Sequence, residues 1–230
     1  AWAGPKLGAP AAVPQFSVPV AAPAFSQTGA QFFEGAKSIV DLGGEPLTRW
    51  SLDLARSQPQ ASVHAVNLKP VPALIASDLP RLGAPNLKPA QYDFFDPPKG
   101  HPTGDRVVLN SPHFGGISDQ NDADRMAAAI DAHLEPGGAF YAHADALFFM
   151  PLYMMAHQLR RDQAALQFSD RLPKHYKFIS QVLDERKAIL LDALQRRFGA
   201  GNVVEQPLED YDRGLLNAPG KHTIQLRKPL

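Results

Sequence analysis

The chain has 230 residues, which is enough for one sizeable hydrophobic core and short for two. Hydrophobic residues make up 44% and charged residues 20%, as in ordinary globular proteins, and 23 basic side chains balance 23 acidic ones. A chain without net charge is not drawn to nucleic acid or to an anionic membrane by its overall charge. Because cysteine is absent, disulfides, thiolate zinc sites and cysteine nucleophiles are excluded.

Neither a membrane span nor a signal peptide is predicted. The apolar run at 146–155 is too short to cross a bilayer and contains a proline. The N-terminus lacks the basic start and the apolar core of a signal peptide. We therefore expect a cytoplasmic protein, with an exported effector as the alternative.

Residues 1–30 are rich in alanine and proline and carry a single charge, on Lys6. Proline fixes its own φ and lacks an N–H donor, so this segment is predicted to be extended rather than helical. We interpret it as a linker or an arm, either left from a longer precursor or lying along the domain surface. A contact with a partner protein is the functional alternative. Residues 31–230 are predicted to form one domain.

Strands and helices alternate from residue 36 onward. The first predicted strand, Ala36–Leu42, ends at Gly43-Gly44, and a helix follows from about Pro46 to Ser57. The next predicted elements are strand Ser62–Leu68, helix Pro72–Leu79, strand Gln91–Phe95, strand Arg106–Asn110, helix Asp122–Leu134 and strand Ala139–Ala142. This alternation predicts an α/β fold with a doubly wound, mostly parallel, Rossmann-like sheet that helices cover on both faces.

The pattern changes after Asp145. Residues 147–198 are predicted to be mostly helical, ending in a long amphipathic helix at Phe178–Phe198, and we interpret them as an inserted helical lid. Two closing strands, Asn202–Pro207 and His222–Lys228, are predicted to form a C-terminal antiparallel hairpin.

The segment Ile39–Gly44 (IVDLGG) resembles the first motif of class I S-adenosylmethionine-dependent methyltransferases. In that motif a strand ends near an acidic residue, and a glycine turn lets the backbone approach the cofactor closely. The resemblance continues at the second strand, where Asn67 stands at the place of the acid that holds the ribose hydroxyls. At the third it continues in Tyr92–Pro97 (YDFFDP), where Asp93 corresponds to the acid that contacts adenine.

The resemblance extends to the later strands. The fourth strand is similar at Asp105–Asn110, and the turn before the fifth is similar at His133–Gly138 (HLEPGG). It therefore covers roughly residues 36–145 together with the closing strands. It implies S-adenosylmethionine as cofactor and predicts that these residues bind it: Asp41, Gly43, Gly44, Glu45, Asn67 and Asp93. Glu45 departs from the family, which usually has another glycine there, and its carboxylate would either clash with the cofactor or pair with its ammonium group.

A closer resemblance, to O-methyltransferases, lies at His113–Asp119 (HFGGISD). It implies that His113 is the general base, and a pKa near 6.5 suits that role. Asn110-Ser111-Pro112-His113 also resembles the tetrad of amino-group methyltransferases that act on nucleic acid, although zero net charge disfavours such a substrate. Asp145, after the fifth strand, is predicted to orient the base or to cap a helix.

No metal is predicted, because the eight histidines show no metal-binding spacing. The sequence therefore predicts methyl transfer from S-adenosylmethionine to an oxygen or nitrogen of a small-molecule or peptide acceptor. Two alternatives stay open. The first is a catalytically degenerate methyltransferase fold that serves as a binding module, favoured by the altered glycine turn and by Asn67. The second is an exported effector or toxin domain, favoured by the low-complexity arm.

Overall fold

The structure is a computed structural model that describes residues 29–44, 49–109, 117–143, 172–207 and 222–230. Its elements in chain order are α1 (Gly29–Phe33), β1 (Ser38–Leu42), α2 (Arg49–Ser57), β2 (Ser62–Asn67), α3 (Ala73–Asp78), β3 (Leu87–Gln91), β4 (Gly104–Leu109), α4 (Gln120–His133), β5 (Leu134–His143), α5 (Leu172–Phe198), β6 (Val203–Pro207) and β7 (His222–Arg227). A 3₁₀ turn, Ala200–Asn202, joins α5 to β6. Nearly all of the predicted arm, and residues 147–171 of the predicted lid, lie outside the described residues.

The strands form one seven-stranded sheet in the order β3-β2-β1-β4-β5-β7-β6. Neighbours among the first five strands are parallel, whereas β7 is antiparallel to both β5 and β6. This topology confirms the predicted doubly wound, mostly parallel sheet with an antiparallel C-terminal hairpin. The order reverses between β1 and β4, and ligands of such sheets bind beyond the carboxyl ends of the strands at this switch point.

Two hydrophobic clusters cover the two faces of the sheet, because successive side chains of a strand point to opposite faces. Val40 and Leu42 of β1 face the cluster that contains Met126 and Ile130 of α4 and Leu194 of α5. On the other face, Ile39 belongs with Phe32 of α1, Leu54 of α2 and Tyr141 of β5. Asp41 alternates with Val40 and Leu42, so its side chain points toward α2.

The predicted third strand is wrong. Strand β3 spans Leu87–Gln91, whereas Gln91–Phe95 was expected, and residues after 91 form a turn. Lys88 and Pro89 lie inside β3, so this strand lacks the alternating apolar residues by which strands are predicted. Proline is tolerated there because β3 is the edge strand, where one side of the backbone has no ladder partner. As a consequence Asp93 lies in the loop after β3 rather than within the strand.

Helix α5 belongs to the core layer. Leu190, Leu194 and Phe198 are buried against α4 and the sheet, so this part of the predicted insertion is integral to the fold. Ion pairs of Arg196 with Asp124 (2.8 Å) and of Arg197 with Asp131 (2.9 Å) join α5 to α4, and such exposed pairs add little stability. None of the helices in the described part of the chain is long and apolar enough to cross a membrane.

One asparagine amide closes the end of the sheet opposite the switch point. Asn86 Nδ2 donates to the carbonyl oxygens of Ala55, Gln58 and Ala61 at 2.9–3.0 Å. These carbonyls belong to the end of α2 and the turn before β2, which are thereby fixed against the start of β3. The amide is suited to this place because it carries two donor hydrogens, which a carboxylate lacks.

Candidate functional site

Three neighbouring strands place polar residues at the carboxyl edge of the sheet. Gly43 and Gly44 follow β1, Asn67 ends β2, and Asp93 follows β3. The structure connects these strand ends directly: the Gly43 amide donates to the Val66 carbonyl at 2.8 Å, and the Tyr92 amide donates to the Asn67 carbonyl at 3.1 Å. The sequence-predicted residues of the first three strands therefore lie together beside the switch point.

The turn after β1 requires glycine at both positions for different reasons. Gly43 has a φ of 78°, in the left-handed region that residues with a Cβ rarely adopt. At Gly44 a Cβ atom would collide with the carboxyl group of Asp41. The resemblance assigned these glycines to close approach of a cofactor, and the structure adds an internal reason for each.

Asp41 is fully buried beneath α2. Its Oδ2 accepts a hydrogen bond from the Ser51 hydroxyl at 2.9 Å, and Ser51 is itself buried. No described residue hydrogen-bonds to Asp41 Oδ1. Burial raises the pKa of Asp41 to about 8, and the hydrogen bond from Ser51 lowers it only partly. The protonated form of this carboxyl group is therefore favoured near neutral pH.

The Asn67 side chain, almost fully buried, contacts the backbone on both sides of the site. Its Nδ2 lies 3.4 Å from the Gly43 carbonyl oxygen and 3.5 Å from that of Gly44, and donates to both. Its Oδ1 accepts from the Lys69 amide at 3.0 Å. All the polar atoms of this side chain are thus engaged with the turns that follow β1 and β2.

Asp93 fixes the turn that follows β3. Its Oδ1 accepts a hydrogen bond from the Phe95 amide at 2.9 Å, and its backbone carbonyl accepts one from Asp96 at the same distance. This is the local bonding by which an aspartate side chain initiates a turn. The half-exposed side chain stands next to Tyr92, which connects it to Asn67.

The loop after β3 is attached to α4 by a phenol and two imidazoles. His133 is buried, and its Nδ1 lies 2.7 Å from the Ala129 carbonyl oxygen, so Nδ1 carries the hydrogen and Nε2 accepts from the Tyr92 hydroxyl at 3.0 Å. Burial lowers the pKa of His133 and favours this neutral form. His101 packs against His133 at 4.8 Å between ring centroids, and its two nitrogens face the carbonyls of Pro98 and Ala132.

These histidines have a structural role. Each ring nitrogen of His101 and His133 faces a carbonyl or a hydroxyl oxygen, which holds the β3–β4 connection against the end of α4. Within the described ranges no group of three or more His, Cys, Asp or Glu is arranged to hold a metal ion.

Four predicted site residues lie outside the described residues: Glu45, Asn110, His113 and Asp145. Strands β1, β4 and β5 end at Leu42, Leu109 and His143, so the chain reaches each of these residues from the carboxyl edge of the sheet.

Sequence reasoning missed Ser51 and the partners of Asn67. Ser51 is a small polar residue on the apolar face of α2, beside Leu54 and Ala55, which are both buried. A polar residue on such a face is the signal that points to a buried partner. No comparable signal exists for Asn67, because its partners are backbone groups in the turns that follow β1 and β2.

The sequence matches no protein-family model and no curated protein. The structure is similar to the S-adenosylmethionine-dependent methyltransferase SibL in its apo form, with a TM-score of 0.51 and 15% identity over 86% of this chain and 52% of that one. Lower TM-scores relate it to an O-methyltransferase family protein from Burkholderia thailandensis (0.48; 13% identity; 86% and 52% covered) and to PKMT2 from Rickettsia typhi in complex with AdoHcy (0.47; 13%; 84% and 49%). The chain thus shares the class I methyltransferase fold and spans about half the length of these structures.

The neutral state of Asp41 predicts how stability changes with pH. Its folded pKa of about 8 lies above the reference value of 3.8, so between these values the unfolded chain releases a proton that the folded chain keeps. This group therefore makes the protein less stable as pH rises through that window, by at most about 1.4 kcal/mol per pH unit. Asp41→Asn removes the titration. Between pH 5 and 8 the free energy of unfolding of the variant should therefore rise relative to that of the wild type. Urea unfolding at each pH measures the difference, and parallel profiles would contradict the buried neutral carboxyl.

The packing of Gly44 against Asp41 predicts the cost of one methyl group. Gly44→Ala should lower the free energy of unfolding by about 1–3 kcal/mol, because the Asp41 carboxyl must move away from Ser51. Gly201→Ala is the matched control: a Cβ there meets nothing within 4 Å, so stability should be unchanged or rise by up to about 1 kcal/mol. Equal effects of the two changes in urea unfolding would disprove the contact.

Proposed function

We propose that this protein transfers a methyl group from S-adenosylmethionine to an oxygen or nitrogen atom of a small-molecule or peptide acceptor. The observation that carries the proposal is the Gly43-Gly44 turn, which stands at the switch point of a β3-β2-β1-β4-β5-β7-β6 sheet with Asn67 and Asp93 at the adjacent strand ends. Its fold is that of SibL, an S-adenosylmethionine-dependent methyltransferase.

The described residues fit such a cofactor at one edge of the sheet. The turn has no Cβ atoms, and Asp41 behind it has a carboxyl oxygen without a partner among the described residues. We assign the cofactor to the edge formed by Gly43, Gly44 and Asp93, with Asp41 and Asn67 packed behind the glycine turn and Glu45 next in the chain. When bound, S-adenosylmethionine supplies a methyl group on a positively charged sulfur.

The protein's part in the reaction is to orient the acceptor, exclude water and take up a proton. His113 is the proposed base for a hydroxyl acceptor, because its segment resembles the base-bearing segment of O-methyltransferases and follows β4. Asp145, which follows β5, is proposed to orient this histidine. For an amine acceptor, Asn110 is the proposed hydrogen-bond acceptor, and a strong base is less necessary because the amine can lose its proton after it attacks.

A binding module without methyl transfer is the second candidate function. The observation that favours it is Asn67, whose side chain is engaged with backbone groups where the family has an acid for the ribose. The catalytic proposal requires cofactor binding and turnover, whereas the module requires neither.

Calorimetry with S-adenosylmethionine and S-adenosylhomocysteine tests the cofactor assignment. We expect both to bind the wild type, and Gly43→Val to abolish binding, because a branched side chain cannot adopt a φ of 78° without strain. Gly201→Val is the matched control, since a side chain there meets open space, and it should bind normally. A folded Gly43→Val variant with wild-type affinity would disprove the site, and a wild type that binds neither compound would disprove the function.

The roles of His113 and Asn110 predict which acceptor atom is methylated. With a hydroxyl acceptor, His113→Ala should lower kcat by about a hundredfold to ten-thousandfold while cofactor affinity stays within about twofold. A small loss in His113→Ala together with a large loss in Asn110→Ala would instead indicate an amine acceptor. The assay starts from a screen of hydroxyl and amine compounds with release of S-adenosylhomocysteine as the readout. If neither change affects turnover of an accepted substrate, the segment after β4 is not the catalytic one.

A further inference from the structure

Asn67 is the residue at which the ends of the first three strands meet. Its amide group donates to the carbonyls of Gly43 and Gly44 after β1, and its side-chain oxygen accepts from Lys69 after β2. Its main-chain carbonyl accepts from Tyr92 at the end of β3.

The glycine turn depends on this amide for its two carbonyls. The Gly43 amide donates to Val66 and the Gly44 amide to Asp41, so both N–H groups of the turn have partners in the strands. Among the described residues, the side chain that donates to both carbonyls is Asn67, through Nδ2. Buried carbonyl groups need donors, and a side-chain amide supplies two hydrogens where a carboxylate supplies none.

We propose that Asn67 is a positioning residue that holds the Gly43-Gly44 turn in its cofactor-binding shape, and that it does not bind the ribose hydroxyls itself. The inference rests on the proposed function, because it presupposes that the cofactor binds at this turn. It reverses the expectation drawn from the resemblance, in which the residue at this place contacts the ligand directly.

The two roles predict opposite effects of an acid at position 67. A residue that binds ribose hydroxyls is improved, or at least not harmed, by the carboxylate that the family uses there. A residue that donates to two carbonyls is harmed, because a carboxylate would stand about 3.5 Å from two oxygens that carry partial negative charge.

The test is calorimetry of S-adenosylhomocysteine binding to Asn67→Asp at several pH values. We expect affinity to fall on the order of tenfold to a hundredfold at pH 7.5. The loss should shrink as pH is lowered toward 5, because burial and the two carbonyl oxygens raise the pKa of the introduced carboxyl, which then regains one donor hydrogen. A general structural weakness would not produce this recovery relative to the wild type at the same pH.

Asn86→Asp is the matched control. It makes the same chemical change in an amide that donates to the carbonyls of Ala55, Gln58 and Ala61 at the opposite end of the sheet. It should lower the melting temperature and leave S-adenosylhomocysteine affinity unchanged. Equal or tighter binding by a folded Asn67→Asp variant would overturn the inference and leave the cofactor assignment standing.

A measurement on the ligand-free wild type covers the cases in which the variant does not fold or the wild type binds no cofactor. By NMR, the side-chain amide protons of Asn67 should exchange with solvent at least tenfold more slowly than those of the exposed Asn121. Equal exchange rates would overturn the positioning role. Slow exchange together with no cofactor binding would retain the positioning of the turn and reject the proposed function.

Discussion

The carboxyl edge of this sheet is organised around one buried acid. The side chain of Asp41 points to the face of β1 that α2 covers, so its carboxyl group does not reach solvent. The Ser51 hydroxyl of α2 donates a hydrogen bond to it. The carboxyl in turn occupies the space where a side chain of residue 44 would lie, which forces glycine there. The shape of the turn after β1 thus follows from the burial of Asp41, and the neighbouring strand ends are fastened to that turn.

Neutrality is the condition under which this arrangement is stable. A charged carboxylate without a cationic partner would be costly to bury, so burial raises the pKa of Asp41 and favours its protonated form. Asn67, the other polar residue in contact with the turn, also carries no charge. Asp41 and Asn67 are therefore polar but uncharged, whereas the family has an acid at the place of Asn67.

The sequence predicted most of the sheet because buried strands are rich in apolar residues. Strands β1, β2 and β4 and helix α4 lie within two residues of their predicted bounds, since apolar side chains such as those of Val63, Ala65 and Val66 are stable only in the core. Strand β3 was misplaced because an edge strand does not need that composition and can hold Lys88 and Pro89. The positions of Gly43, Asn67 and Asp93 were predictable from strand ends, but the hydrogen bonds of Asn67 were not, because they depend on register between strands.

The bonding of the glycine turn restricts how it can recognise any ligand. Both amides of Gly43 and Gly44 and both of their carbonyls have partners within the protein. A ligand that approaches the turn therefore meets the Cα surfaces of two glycines, and the turn selects it by shape. Polar recognition must come from side chains at the neighbouring strand ends, of which Asp93 is the described example, since its second carboxylate oxygen is not required for the turn that Phe95 closes. A turn that is already fully bonded has little freedom to lose when a ligand binds, so the fold itself supplies the preorganisation that tight binding needs.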